Sequence, residues 1–279
     1  MTTHNMAANP LVSVITPNYN GSRYIERCVE SVRLQNYSVE MIVVDDFSSD
    51  GSWEILSRLS EAYAWLIIVR LDENLGPVKA RNEAIRRARG RFLAFLDIDD
   101  FWIPSKLSIQ IPFMNEVGCA LSFSDYRFVS ENGLLIGRRI RGFRKIGFSA
   151  HHMTRYLGCL TIVLDRQIVG DFYFPEISPA YRAEDFLAWA ECIERFGPAM
   201  RCPHDLARYS QTPNSRSSQA TRVALSVWTL YRLVEKLPLF LSIIYFISYA
   251  CSSFLKRLFG RPRMDRALID KQFGWSIIG

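Results

Sequence analysis

Three acids stand at the end of an apolar run in Gly90-Arg91-Phe92-Leu93-Ala94-Phe95-Leu96-Asp97-Ile98-Asp99-Asp100. Phe92 to Leu96 has the length and composition of a buried strand, and open α/β sheets place ligands just beyond the carboxyl ends of their strands. Continued in extended form, the chain would point Asp97 and Asp99 to the same side. Two hard oxygen ligands on one side suit Mg2+ or Mn2+, ions commonly shared with substrate phosphates. A second acidic pair, Glu184-Asp185, opens a segment with Phe186, Leu187, Ala190 and Ile193 on one helical face. A carboxylate there can serve as a general base or do no more than complement a helix dipole.

The elements that must position these acids alternate between two periods. Leu11 to Thr16 reads as a first strand, broken at Pro17-Asn18-Tyr19-Asn20-Gly21. Ile25, Cys28, Val29 and Val32 then recur at helical spacing as far as Gln35. Met41 to Val44 is a second strand ending in Asp45-Asp46, and Ile55, Leu56, Leu59 and Ala62 make the next helix. Leu66 to Val69 is a third strand. Pro77 is placed to open a helix that ends at Gly90, read as its C-terminal glycine. Strand and helix in strict alternation predict a mostly parallel sheet with right-handed crossovers. No Gly-x-Gly-x-x-Gly follows the first strand and no Gly-Lys-Ser/Thr phosphate loop occurs, which disfavours the usual dinucleotide and P-loop sites.

Beyond Pro104 the pattern changes. A helix through Leu107, Ile111 and Met114 leads to Ala120–Phe123 and a hairpin turned at Glu131-Asn132-Gly133. Thr161 to Leu164 reads as another strand, and Arg208-Tyr209 to Ser218 as a polar loop. Arg138-Arg139, Arg141 and Arg144-Lys145 form either a solvated face or a rim for an anionic substrate.

The 279 residues carry a net charge of +6. Lys256, Arg257, Arg261, Arg263, Arg266 and Lys271, against Asp265 and Asp270, supply +4 of it. Leu237 to Leu255 immediately before them is a run of nineteen uncharged residues. The combination favours an anionic membrane surface over nucleic acid as a partner. Six cysteines at 28, 119, 159, 192, 202 and 251 have no paired spacing and read as reduced, mostly buried thiols. His151-His152 lacks partners at zinc spacing.

Five motifs occur in order: Val12-Ser13-Val14-Ile15-Thr16-Pro17-Asn18-Tyr19-Asn20, Val43 to Ser52, Asn74-Leu75-Gly76-Pro77 with Ala80-Arg81-Asn82, Phe95 to Asp100, and Glu184-Asp185. As an ordered set over residues 10 to 218 the chain resembles the family 2 glycosyltransferases of the GT-A fold. Within them it looks most similar to bacterial enzymes of surface polysaccharide assembly, of the teichuronic-acid and O-chain type. The resemblance implies an α/β Rossmann-like sheet with flanking helices. Residues 1–103 would form a nucleotide-sugar-binding half and 104–218 an acceptor-binding half, with 219–279 a helical, basic, membrane-associating extension. It implies roles as well. Thr16, Pro17 and Tyr19 would border the nucleotide base, and Asp46 would accept from its imide. Gly76 and Ile98 would line the donor site, and Lys79 and Arg81 would face the diphosphate. Asp97 and Asp99 would hold the ribose and a Mn2+ or Mg2+ ion, with Asp99 the direct ligand. Asp185 would be the base of an inverting displacement, with Glu184 its neighbour and rival. The donor would be a nucleotide sugar, most simply UDP-linked, and the acceptor a lipid-linked glycan. Phe47 departs from the family, which often has a small residue there.

Cytosolic donors would put the basic tail outside if 237–255 crossed the membrane, against the positive-inside tendency. An interfacial or re-entrant segment in 237–271, on the cytoplasmic face of a bacterial inner membrane, is therefore preferred over a span or a buried core helix. Two alternatives remain open: a non-catalytic scaffold of the same fold, and a haloacid-dehalogenase-like phosphatase, which also uses Asp-x-Asp after an apolar strand.

Overall fold

The structure is a computed structural model describing residues 11–130, 133–154, 156–178, 183–211 and 220–259. Its first hundred residues run β1 (Val12–Asn18), α1 (Ser22–Arg33), β2 (Val39–Asp45), α2 (Ser52–Ala62), β3 (Leu66–Arg70), α3 (Pro77–Arg87) and β4 (Phe92–Phe95). The second half contributes β5 (Phe101–Trp102), α4 (Lys106–Val117), β6 (Leu121–Val129), β7 (Leu135–Ile140), β8 (Lys145–Ile146), α5 (Phe148–Thr154), β9 (Ile162–Asp165), α6 (Arg166–Val169), α7 (Glu184–Phe196) and β10 (Ala199–Ser210). α8 (Ala220–Thr229), a π-helical turn (Leu230–Val234) and α9 (Leu239–Phe259) follow.

All ten strands join one sheet, in the order β3-β2-β1-β4-β9-β6-β10-β5, with β7 on β6 and β8 on β10. The strands β3-β2-β1-β4 are parallel to one another, as their helical crossovers require. β9 enters antiparallel between β4 and β6, so the second half is mixed.

Side-chain alternation divides the core between two faces. Ile15, Ile42, Val44, Leu93 and Phe95 meet Ala80, Ala84 and Ile85 of α3 and Ala188, Trp189, Cys192 and Ile193 of α7. Val12, Val14, Met41, Val43, Phe92 and Ala94 meet α1 and α4 on the other face. One consequence matters for chemistry: α3 and α7, both carrying charged residues at their first turns, lie on the same side of the sheet as Phe95. Phe95, Phe174 and Trp189 pack edge-on at 5.2–5.4 Å between ring centres, joining the acid-tipped strand to the acid-tipped helix.

Three expectations need correction. Arg208, Tyr209 and Ser210 are not a loop but the end of β10, where Arg208 and Ser210 are buried; residues 212–218 and the hairpin tip Glu131-Asn132 lie outside the described residues. Gly90 does not cap α3 in a left-handed conformation, since the helix ends at Arg87 and Ala88 is extended. What Gly90 supplies is closeness: a β-carbon there would sit 2.6 Å from the Ser13 backbone nitrogen. Gly90→Ala must therefore push β1 and β4 apart, an expected loss of roughly 1–3 kcal/mol by denaturant titration; an unchanged midpoint would show that the strands can give way. Finally, Asp97 and Asp99 do not share a side through extended chain. β4 ends at Phe95, and the Asp100 N–H bonds the Asp97 carbonyl at 3.0 Å, closing a turn.

The Lys106 side chain on α4 is fully buried and forms no ion pair among the described residues. Its Nζ donates to Gln110 Oε1 at 2.7 Å and lies 5.0 Å from the Trp102 ring. Burial lowers its pKa to about 7. Between that value and the ordinary 10.5 the unfolded chain holds a proton that the folded protein does not, so stability rises with pH by up to ~1.4 kcal/mol per unit. Lys106→Met has no such dependence. Denaturation at pH 7 and 9 should show the unaltered protein gaining on the variant by roughly 1–2 kcal/mol, and parallel behaviour of the two would refute the buried amine's role.

Candidate active site

The carboxyl ends of β1, β2 and β4 form one edge, and its loops are stapled together by polar groups. Asn18 Nδ2 donates to Asp45 Oδ1 at 2.6 Å, and the Asp46 N–H donates to the Asn18 carbonyl at 2.8 Å. Asn20 Oδ1 accepts from the Ser49 N–H, and Asp50 Oδ2 from the Ser22 N–H, both at 2.9 Å. Short polar side chains bonding nearby backbone are why Asn, Ser and Asp dominate these loops. Phe47 holds a left-handed backbone (φ 63°) with its ring half exposed and the Arg70 guanidinium 5.9 Å away. A bulky residue in that region costs about 1–3 kcal/mol.

Asp46 is buried, and both its oxygens are engaged: Oδ1 accepts from the Leu75 N–H at 2.7 Å and Oδ2 from the Gly76 N–H at 2.8 Å. It thereby fixes the Asn74–Pro77 loop. Gly76, at φ 87° and ψ 163°, occupies a region closed to other residues and lets Pro77 begin α3. Each Asp46 oxygen retains a further lone pair for a ligand. Tyr19 is 54% exposed beside Pro17, whereas Thr16 is fully buried and its hydroxyl finds no partner among the described residues. Ile98 is buried under the Asp97–Asp100 turn against Gly21. Lys79 is exposed and makes no ion pair among the described residues.

Arg81 is not an open cation waiting for phosphate. It is buried between two carboxylates, 2.5 Å from Asp97 Oδ1 and 3.8 Å from Glu184 Oε1. Burial opposes its charge most strongly, but Asp97, Cys159 and Glu184 together outweigh burial and keep the guanidinium more firmly protonated than usual. The single residue on α3 thus ties the acid turn after β4 to the first turn of α7. Asn82, next along, exchanges two hydrogen bonds with the Phe174 backbone at 2.8 and 2.9 Å and holds the segment leading to α7. The buried Cys159 thiol, raised well above its ordinary pKa by burial, feels the charges of Arg81, Asp97, Asp185 and Glu184 together. The two acidic motifs converge.

Within that convergence the acids differ. Asp97 is paired with Arg81 at 2.5 Å, and Glu184 shares the same group at 3.8 Å. The Asp99 carboxylate makes no ion pair among the described residues and accepts from its own backbone N–H. Burial, reinforced by the Asp97 charge, pushes it up to about 6. An acid in that state gains from an incoming cation. Asp100 is different again: it is buried, accepts from the Ser210 N–H at 2.8 Å, and is pushed well above the usual carboxylate range by burial and by Asp99. Asp185 accepts only from the neighbouring Phe186 N–H, at 2.7 Å, and has no cation partner among the described residues.

Two contributors escape sequence reading. Arg27 of α1 donates to the Asp99 carbonyl at 2.9 Å and to Ser210 Oγ at 3.0 Å, while Ser210 Oγ also bonds that carbonyl. They grip the turn from behind. No local spacing announces them; the only cue is Arg27 on the polar side of an otherwise amphipathic α1. The basic rim is partly internal, since Arg139 and Arg201 converge on buried Asp125 at 2.6 and 3.5 Å.

The described residues contain no group of three or more ligating side chains. A cation here would take one or two carboxylates and complete its shell from phosphate and water, as Mg2+ and Mn2+ ordinarily do. The acid-tipped fourth strand, the buried arginine and the second acid pair on a facing helix define a GT-A glycosyltransferase. Solved structures share the fold: Staphylococcus aureus TarS 1-349 in complex with UDP superposes with TM-score 0.61 at 21% identity, over 81% of this chain and 73% of that one. The mannosyltransferase PcManGT from Pyrobaculum calidifontis, in complex with GDP-Man and Mn2+, gives 0.62 at 19% identity over 91% and 77%. The model of glycosyl transferase family 2 matches residues 13–165, and the chain belongs to that family. TuaG, the glycosyltransferase ascribed to teichuronic acid biosynthesis in Bacillus subtilis (strain 168), is 37% identical over 89% of this chain and 98% of its own. WfgD of Escherichia coli, a UDP-Glc:alpha-D-GlcNAc-diphosphoundecaprenol beta-1,3-glucosyltransferase, is 30% identical over 89% and 96%. The phosphatase alternative falls with this assignment, and the protein is a glycosyltransferase.

Proposed function

We propose that the protein transfers a sugar, with inversion, from a UDP-linked donor to a lipid-linked glycan in bacterial surface polysaccharide synthesis. The observation that carries the chemistry is the Asp97–Arg81–Glu184 bridge, which holds the Asp-x-Asp turn and the Asp185 turn at one site. Tyr19 and Pro17 border the base, with Thr16 beneath them, and Asp46 accepts from its imide while holding the Gly76 loop. Lys79, exposed at the start of α3, faces the diphosphate; Arg81 positions the two acids instead. Asp97 and the Ile98 backbone line the ribose. Asp99 and Asp97 hold a Mn2+ or Mg2+ ion, which supplies charge neutralisation for the departing nucleoside diphosphate.

Asp185 takes the proton of the acceptor hydroxyl as its oxygen attacks the anomeric carbon, the sugar–phosphate bond breaking on the opposite side. Glu184, engaged with Arg81, is less available. The acceptor chemistry rests on the relatives: WfgD acts on a diphosphoundecaprenol-linked sugar. A lipid-linked acceptor places the enzyme at a membrane surface, and no described helix is long and apolar enough to cross one. The C-terminal segment is accordingly read as interfacial, on the cytoplasmic side of the inner membrane.

The test is a panel of nucleotide sugars with Mn2+, read by thermal stabilisation. One UDP sugar raising the melting temperature only with metal supports the reading. Stabilisation by none, or by GDP sugars alone, overturns the donor assignment.

A further inference from the structure

α9 is a two-faced helix. Leu239, Phe240, Ile243, Ile244 and Ile247 are between 41% and 63% exposed and, at 100° per residue, fall on one stripe. On its opposite side Ser242 and Tyr245 are buried, and Phe246 and Tyr249 pack inward. Their partners are Ala183, Phe186, Leu187, Leu230 and Tyr231, so the inner face shares a small core with the residues on either side of Asp185.

The link is polar as well as apolar. Tyr231 Oη donates to the His152 carbonyl at 2.7 Å, His152 Nε2 lies 2.9 Å from Glu235, and His151 Nε2 lies 3.0 Å from the Phe186 carbonyl. The His151 ring also stacks on Phe186 at 4.3 Å. The histidine pair of α5 therefore bridges the C-terminal helices to the first turn of α7.

The exposed stripe needs a cover, and the charge of the C-terminal sequence selects one. From Lys236 to Met264 the sequence carries five basic residues and no acidic one. A second copy of the chain would bring the same cations into contact with themselves, whereas an anionic lipid surface attracts them while the apolar stripe enters the acyl boundary. We propose that the Leu239–Ile247 face of α9 seats on an anionic bilayer, and that seating there orders the Asp185 turn through the shared core. Docking stands on the α9 stripe and the basic residues of the C-terminal sequence; its consequence for catalysis rests on the proposed role of Asp185.

Flotation of the full chain with phosphatidylglycerol-containing vesicles, beside pure phosphatidylcholine vesicles, tests the docking. The protein should float with the former, at least tenfold less with the latter, and be released by 0.5 M NaCl. Phe240→Ser with Ile244→Ser, both at exposed positions, should abolish flotation without lowering the melting temperature. Should that variant unfold, lipid composition and salt still decide. Equal flotation on both vesicles, or a lipid-free dimer that binds neither, overturns the proposal. Hydrogen exchange at residues 184–187 should slow on anionic vesicles; flotation without that change overturns the coupling. Metal-dependent donor hydrolysis, measured separately without vesicles, reports on the catalytic reading independently of both.

Discussion

Asp185→Asn should bind donor as the unaltered protein does and transfer sugar about 10²–10⁴-fold more slowly, the range expected when a general base is removed. The substitution keeps a side-chain oxygen to accept from the Phe186 N–H, so that hydrogen bond in the first turn of α7 is retained. Loss of the negative charge at a helix N-terminus costs stability by only ~0.3–1 kcal/mol. Arg81 remains balanced by Asp97 and Glu184. A fall in kcat with an unchanged donor KM is thus the signature of lost proton transfer rather than lost structure. Glu184→Gln should behave differently, because it weakens the tether on Arg81 and should affect donor affinity and stability together. Normal turnover by Asp185→Asn would transfer the base role to another group.

Asp99→Ala should be the second severe lesion, through donor affinity. The side chain bonds only its own backbone N–H, and its turn is held by backbone: Arg27 and Ser210 grip the Asp99 carbonyl, and the Asp100 N–H bonds Asp97. Removal should therefore leave the melting temperature in place or raise it, since an acid pushed up to about 6 by burial is an unfavourable charge near neutral pH. Metal-dependent stabilisation by donor should vanish, with kcat/KM lower by on the order of 100-fold, ~2.7 kcal/mol. Asp97→Ala should instead destabilise the protein, because it strips Arg81 of its nearest buried partner. Retention of metal-dependent donor binding by Asp99→Ala would assign the cation to Asp97.

These contrasts mark how far the sequence was legible. The alternation through β4, and an apolar run ending in acids, are local patterns, and both were readable. β10 was not, because its polar residues are satisfied across the sheet rather than along it. Asp205 pairs with Arg127 of β6, and Ser210 closes on Asp100, so a buried strand reads as a polar loop. β5 and β8, two residues each, are too short to show a period. Arg81 was recognisable as part of a motif, yet its work was not: one partner lies 16 residues ahead and the other 103 ahead (184 minus 81). The same holds for His151-His152, which lack zinc-site spacing and instead bridge two helices. Periodicity reveals elements; what joins them is long-range and must be seen.

The central claim, metal-dependent group transfer from a nucleotide sugar at the Asp97–Asp99 turn, is tested most directly by release of nucleoside diphosphate. The purified full chain would be incubated with the stabilising donor, with Mn2+ and again with excess chelator, beside Asp99→Ala. Slow release that requires the metal and is absent in Asp99→Ala is the predicted result. Equal release with chelator present would contradict the assignment of this turn as the metal and donor site, and metal-dependent release that persists in Asp99→Ala would contradict Asp99 as the direct ligand.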